Sequence, residues 1–148
     1  MENDRGFTLV ELAVVTMVLG VLLAIVLPSV VGFQNTAHEL RIRAALTNGA
    51  KAEAALGEAE GAFTEDVAKL EYMVPGIPFG DATDSSIRVV VGDIDAGDSQ
   101  QVILYARAVT GVWFGLRLVG FGDDAGRHTC RSVDEADMTF AFCTGIDW

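Results

Sequence analysis

The sequence is poor in positive charge and nearly devoid of cysteine. Ten Lys and Arg stand against 21 Asp and Glu in 148 residues, a net charge of -11, and no basic run occurs. Affinity for nucleic acid comes mainly from clustered cations on phosphate, so no nucleic-acid partner is expected. Two cysteines, Cys130 and Cys143, are too few for a disulfide scaffold or a four-cysteine zinc site. GxSxG, HExxH, P-loop and dinucleotide fingerprints are all missing, and no nucleophile–base–orienter set can be assembled. Nothing here points to an enzyme, a cofactor or a resident metal. Repeats and low-complexity linkers are also absent. What is abundant is apolar: 51% of residues are hydrophobic and the mean hydropathy is +0.37, which excludes a disordered chain. The length allows one domain, two at most.

The apolar residues are unevenly spread. Positions 7–33 read FTLVELAVVTMVLGVLLAIVLPSVVGF, with no charge from Leu12 to Leu27. As a helix, Phe7 to Leu27 spans roughly 31 Å at about 1.5 Å per residue, close to the ~30 Å hydrocarbon core of a bilayer. A helix apolar on all sides is otherwise buried inside a larger protein than this one. A secretory signal peptide fits less well. The first residues, MENDRG, carry Glu2 and Asp4 against Arg5, the apolar run is too long, and no A-x-A site follows Pro28. Flanking cations, Arg5 before the run and Arg41 and Arg43 after it, leave the orientation open. Glu11 is the exception within the run. An ionised side chain in the bilayer costs on the order of 3 kcal/mol, so it either snorkels to the interface or has a partner and a task.

Arg5-Gly6-Phe7-Thr8-Leu9-Val10-Glu11 resembles the processing motif of type IV pilins and of the pseudopilins of type II secretion. The shared pattern is a short polar leader ending in Gly, then Phe, then an apolar helix with Glu as the fifth residue after the cut. Gly20 and Pro28 fall where pilins carry a helix-weakening Gly and Pro. The resemblance covers about residues 1–32 and implies three segments: a leader, 1–6; a transmembrane and assembly helix, 7–32; and a pilin-like globular domain, 33–148. It further implies that a prepilin peptidase cuts between Gly6 and Phe7 and methylates the new amine of Phe7. The chain then waits as a single-pass protein of the cytoplasmic membrane with its C-terminal domain outside. An assembly platform and an ATPase draw it into a homo-oligomeric or mixed filament. In such a filament the Glu11 carboxylate can pair with the terminal ammonium of a neighbouring Phe7, removing two costly unpaired charges. The alternatives are a type II secretion pseudopilin and a plain single-pass sensor or binding protein, the last disfavoured by Gly6-Phe7 with Glu11.

Beyond Phe33 the pattern remains helical through residue 60. Val31, Ile42, Ala45, Gly49, Ala52, Leu56, Ala59 and Phe63 form one stripe, expected to pack on the protein's own sheet. Phe33, Ala37, Leu40 and Ala44 lie on a roughly opposite face, read as a contact face between subunits. His38 falls on the packing stripe and reads as a packed structural histidine. Gly61 ends the helix, and Thr64 is placed to cap a second one, Glu65–Glu71, which Val74-Pro75-Gly76 breaks. Strand patterns follow at Ser86–Gly92, Gln101–Val109 and Val112–Val119, with Arg107 and Arg117 outward, and a last short strand at Thr139–Cys143. The loops between them include Asp93–Gln100 and Gly120–Gly126. The fold class is α+β: a long N-terminal helix, membrane-spanning then amphipathic, on a small antiparallel sheet, as in pilins.

Cys130 and Cys143 are 13 residues apart, and the resemblance places them outside the cytoplasm, where disulfides persist. They match the C-terminal disulfide-bounded loop of many pilins, and this tilts the reading toward a pilin. His128-x-Cys130 with Cys143 could instead begin a metal site, but a fourth ligand is missing. The Asp93–Asp98 loop has the look of a cation loop without the Gly and Glu spacing of an EF-hand, so a solvated hairpin loop is favoured. Asp123-Asp124 reads as a turn.

Overall fold

The computed structural model describes residues 8–83, 86–94, 99–120, 126–145 and 148. Two helices, α1 (Leu9–Glu60) and α2 (Val67–Met73), precede four strands: β1 (Arg88–Ile94), β2 (Ser99–Arg107), β3 (Trp113–Val119) and β4 (Gly126–Ser132). A short 3-10 turn, Glu135–Asp137, follows. The chain divides into two compact units, one reaching Thr36 and the other Ala37–Trp148. This is an α+β, pilin-like arrangement: a long apolar N-terminal helix, a short helix, then a four-stranded antiparallel sheet in the order β1-β2-β3-β4.

Helix α1 runs unbroken through Gly20 and Pro28. Ala, Leu and Glu predominate in its second half, and these residues lose little freedom in a helix. Gly61 stops it with a φ of 75°, a left-handed conformation costly for a side chain with a Cβ, and its N–H bonds Gly57 O at 2.9 Å.

The second half of α1 packs on one face of the sheet. Ile42, Leu46, Ala50, Ala52 and Leu56 are buried there against Val102, Leu104, Ala106, Phe114 and Leu116. Burying each large side chain contributes about 1.5–3 kcal/mol. At Gly49 the helix comes so close to β2 that an added Cβ would lie 2.8 Å from Leu104 Cδ2. Polar ties fix the rest of the contact. Thr110 Oγ1, in the β2–β3 turn, donates to Glu39 Oε1 at 3.0 Å, and Arg127 of β4 donates to Thr47 Oγ1 at 3.1 Å. Arg43 lays its guanidinium over the Phe114 ring, 4.8 Å from its centre, with Trp148 on a second side at 5.8 Å.

The opposite face of the sheet is covered as well, by the segment after β4. Ile103, Tyr105, Trp113 and Cys130 pack there with Met138 and Cys143, and Val90 and Phe140 join them. The Phe140 ring fills the space that a side chain at Gly92 would occupy, since a Cβ there would lie 2.7 Å from Phe140 Cε2. Arg117 bonds Gln101 Oε1 at 2.8 Å and Phe140 O at 3.2 Å. With cover on both faces, Gln101 through Ala106 of β2 are all buried, and so β2 reads VILYA rather than alternating.

Four expectations need correcting. The last strand is Gly126–Ser132 rather than Thr139–Cys143. The latter segment forms turns across the outer face, where Phe142 and Cys143 N–H groups return to Thr139 O. Helix α2 begins two residues late, because Asp66 caps it through Ala68 N at 3.0 Å, while Thr64 Oγ1 accepts from Asp66 N. The packing stripe runs through Leu46 and Glu53 and leaves Ala59 exposed, since 3.6 residues per turn carry the buried face past position 59. His38 is exposed. It stands one turn before Ile42, at the rim of an open groove of about 560 Å³ that Arg41, Ile77, Ile87 and Val109 also line.

Candidate functional site

Every residue from Thr8 to Val26 is exposed. The stretch Leu9–Val26, with mean hydropathy 2.8, is long and apolar enough to cross a membrane. Leu9 is 85% exposed and Phe33, beyond the stretch, 77%. An 18-residue stretch this apolar and without cover in the chain requires an environment that supplies it, whether lipid or other protein.

The start of this helix is built around Glu11. Thr8 N donates to Glu11 Oε2 at 2.9 Å, Thr8 Oγ1 donates to the same oxygen at 2.8 Å, and Glu11 N donates back to Thr8 Oγ1 at 3.2 Å. This is a capping box, in which Thr at the helix start and Glu three residues on satisfy each other's backbone donors. It also sets a carboxylate at the positive end of the helix dipole. The Thr8-x-x-Glu11 spacing is the local sequence signal for this box. Gly6 and Phe7, the proposed cleavage pair, lie outside the described residues. Gly20 and Pro28 both sit within α1, and a Cβ at Gly20 would meet nothing within 4 Å.

On α1, Ala37, Leu40 and Ala44 are exposed, Ala44 at the groove that His38 also borders. They are residues of the second apolar face expected from the spacing.

Cys130 and Cys143 lie at disulfide distance, their Cα atoms 4.8 Å apart, both fully buried. Gly115, opposite Cys130 in the β3–β4 register, makes room for them: a Cβ there would lie 2.5 Å from Cys130 Sγ. Met138 Sδ closes the pocket 4.0 Å from Cys130 Sγ. His128 turns elsewhere, its Nδ1 3.1 Å from Thr144 O. Among the described residues no group of three or more metal-ligating side chains gathers. Asp95–Asp98 and Asp123-Asp124 lie outside the described residues.

One titratable residue escaped the sequence reading. Glu53 sits on the buried face of α1 and is 0% exposed. Burial pushes its carboxyl up from 4.5 to about 7, and the Glu65 charge adds to this, against a lowering hydrogen bond from Thr64 N. Only the helical period, extended one position from Ala52, could have flagged it.

Comparison with known proteins bears on the first segment alone. Residues 1–27 match the prokaryotic N-terminal methylation motif. Neither a curated protein nor a solved structure matches the chain. Together with the bare apolar helix that follows, the match shows that the chain carries, at residues 1–27, the prepilin-type signature of type IV pilins and pseudopilins.

Proposed function

We propose that this protein is a prepilin, the structural subunit of a type IV pilus-like filament, cut between Gly6 and Phe7, methylated on Phe7 and assembled through its N-terminal helix. The observation that carries this reading is the methylation motif at residues 1–27 joined to a helix whose residues 8–26 are wholly exposed. Before assembly the helix resides in the cytoplasmic membrane with the globular domain outside. In the filament, helices of neighbouring subunits replace the lipid. The prepilin peptidase, the assembly platform and its ATPase are the partners this reading requires.

The capping box gives the cut a chemical consequence. Cleavage after Gly6 leaves the Phe7–Thr8 peptide bond intact, so Thr8 keeps the N–H that Glu11 accepts. It also places a new ammonium on Phe7, one residue ahead of Thr8 and four ahead of Glu11. Glu11 then has two roles, capping its own helix and pairing with the Phe7 ammonium of a neighbour. Between pilus and secretion filament, the pairing of Cys130 on β4 with Cys143 in the segment after it favours the pilus reading. Gly20 and Pro28 weaken the helix where a filament could draw it out.

Intact-mass analysis of assembled material tests the reading: the chain should begin at methylated Phe7. Retention of Met1 in assembled filaments overturns it. Glu11→Gln keeps an acceptor for Thr8 but removes the charge, and should insert into membranes normally while filament yield drops sharply. Normal yield would leave Glu11 as a cap only.

A further inference from the structure

Glu53 is a buried acid with half its carboxylate unmet. Oε2 accepts from Thr64 N at 3.1 Å, whereas Oε1 makes no hydrogen bond and touches no solvent. The residue after Thr64 holds another element. Glu65 Oε1 accepts from Val91 N at 2.6 Å. Among the described residues strand β1 pairs on one side only, with β2, so Val91 N points off the sheet edge and Glu65 covers it. An uncovered edge donor is a template for pairing with another chain. Two adjacent residues of the connector between α1 and α2 thus join a buried acid to a sheet edge.

We propose that Thr64 and Glu65 form a proton-held latch over the edge of β1: protonated Glu53 keeps the connector seated on α1, and loss of that proton lifts Glu65 from Val91. Neutral Glu53 can remain in a dry site. Ionised, it leaves Oε1 as an unpaired buried charge and repels Glu65, so it must draw in water or swing outward. Either movement loosens Thr64.

The other charged groups nearby are already engaged. Glu60 of α1 and Lys69 of α2 pair at 2.8 Å, and Asp66 caps α2. On β1, Arg88 acts on Tyr105 instead, its partner across the strands. Glu65 is therefore the charge that works on Glu53, and it opposes ionisation.

The direction with pH follows. The folded-state value of about 7 lies above the ordinary 4.5. The stabilisation is full below the ordinary value and is lost as pH rises through about 7. The latch is shut in acid, loosens progressively as pH rises toward 7 and is open above it. The latch does not depend on the filament reading, since it lies within Ala37–Trp148 and needs no neighbour.

Hydrogen exchange on the full chain in detergent, corrected for intrinsic rates, tests it between about pH 4.5 and 8.5. Peptides covering 62–66 and 88–92 should lose protection by up to about tenfold per pH unit between the ordinary value of 4.5 and about 7 and level off above it, while peptides from β2 stay constant. Glu53→Gln should flatten that dependence. Equal pH dependence in wild type and Glu53→Gln, or none in wild type, overturns the latch. Should Glu53→Gln fail to fold, the carboxyl carbon of Glu53 is followed by NMR in the wild-type chain. A midpoint near 7, moving down in Glu65→Gln, supports the latch, and a midpoint near the ordinary carboxylate value overturns it.

Discussion

From Leu9 to Val26, α1 exposes every side chain, whereas from Ile42 to Leu56 the same helix buries Ile42, Leu46, Ala50, Ala52, Glu53 and Leu56. Backbone geometry does not distinguish the two stretches, since one α-helix covers both. What differs is where the solvation of the apolar surface comes from. The second stretch finds it within the chain, in Leu104, Phe114 and Leu116. The first stretch has apolar residues on every side, and no single folded face could cover them. A helix with one stripe can be satisfied by one sheet, while a helix apolar all round needs a surrounding medium or several neighbours. This is why the first stretch needs cover from outside the chain, and the second finds it in the domain.

The sharpest way to break the comparison is to make the same substitution in both stretches. Leu46→Ala removes a fully buried side chain and should cost about 2–5 kcal/mol in denaturant unfolding of the domain. Leu19→Ala, at a site 53% exposed, should leave that unfolding unchanged. A comparable loss at Leu19 would show that the first stretch is packed on the domain after all. The cysteines come next. Cys130→Ser opens a 13-residue separation, and loss of the bridge should cost about 3 kcal/mol of domain stability in the chain-entropy model. Cleavage after Gly6 should proceed as before. Unchanged stability, or two free thiols in exported protein, would reopen the metal reading of His128 and Cys130. A smaller effect is expected at the cap: Thr8→Ala should cost about 1 kcal/mol of local helix stability, seen as exchange at the first turn, with the domain unaffected.

How much of this could be read from the chain alone depended on the range of the interaction. The apolar run, the long helix, Gly61 and the first three strands are local patterns of period 3.6 or 2, or of turn residues, and they were legible. So was the Cys130–Cys143 pairing, although only through resemblance. Strand β4 was not, because GRHTCRS is polar and its identity as a strand comes from β3 alongside it. Met138, Phe140 and Cys143 look like a strand in sequence yet form a cover, since Gly92 and Gly115 hollow out the outer face beneath them. A missing side chain carries no periodic signal until its neighbour is known. Glu53 was hidden for the opposite reason: a charged residue on a helix is normally solvated, and nothing local says that Thr64 will close over it.

The smallest effect separates two glycines on α1. Gly49→Ala gains about 1 kcal/mol of helix propensity but drives a Cβ to 2.8 Å from Leu104 Cδ2 in a fully packed site. Overpacking costs about 1–3 kcal/mol, so the net should be a mild destabilisation of the domain. Gly20→Ala gains the same propensity and meets nothing within 4 Å. Domain unfolding should therefore not change at all. Any effect must come from the helix itself or from a neighbour that only the filament supplies. Helix rises about 1.5 Å per residue and extended chain about 3.3 Å, so melting the nine residues from 20 to 28 would lengthen the stem by up to roughly 16 Å. In lipid the unmet backbone groups forbid this, whereas protein neighbours can satisfy them. Gly20→Ala should then give filaments that stretch less under load while monomer helicity by circular dichroism stays within error. Filaments of equal extensibility, or a map with unbroken helix through Gly20 and Pro28, would remove the stem-melting idea and leave Gly20 as a residue chosen for close helix packing.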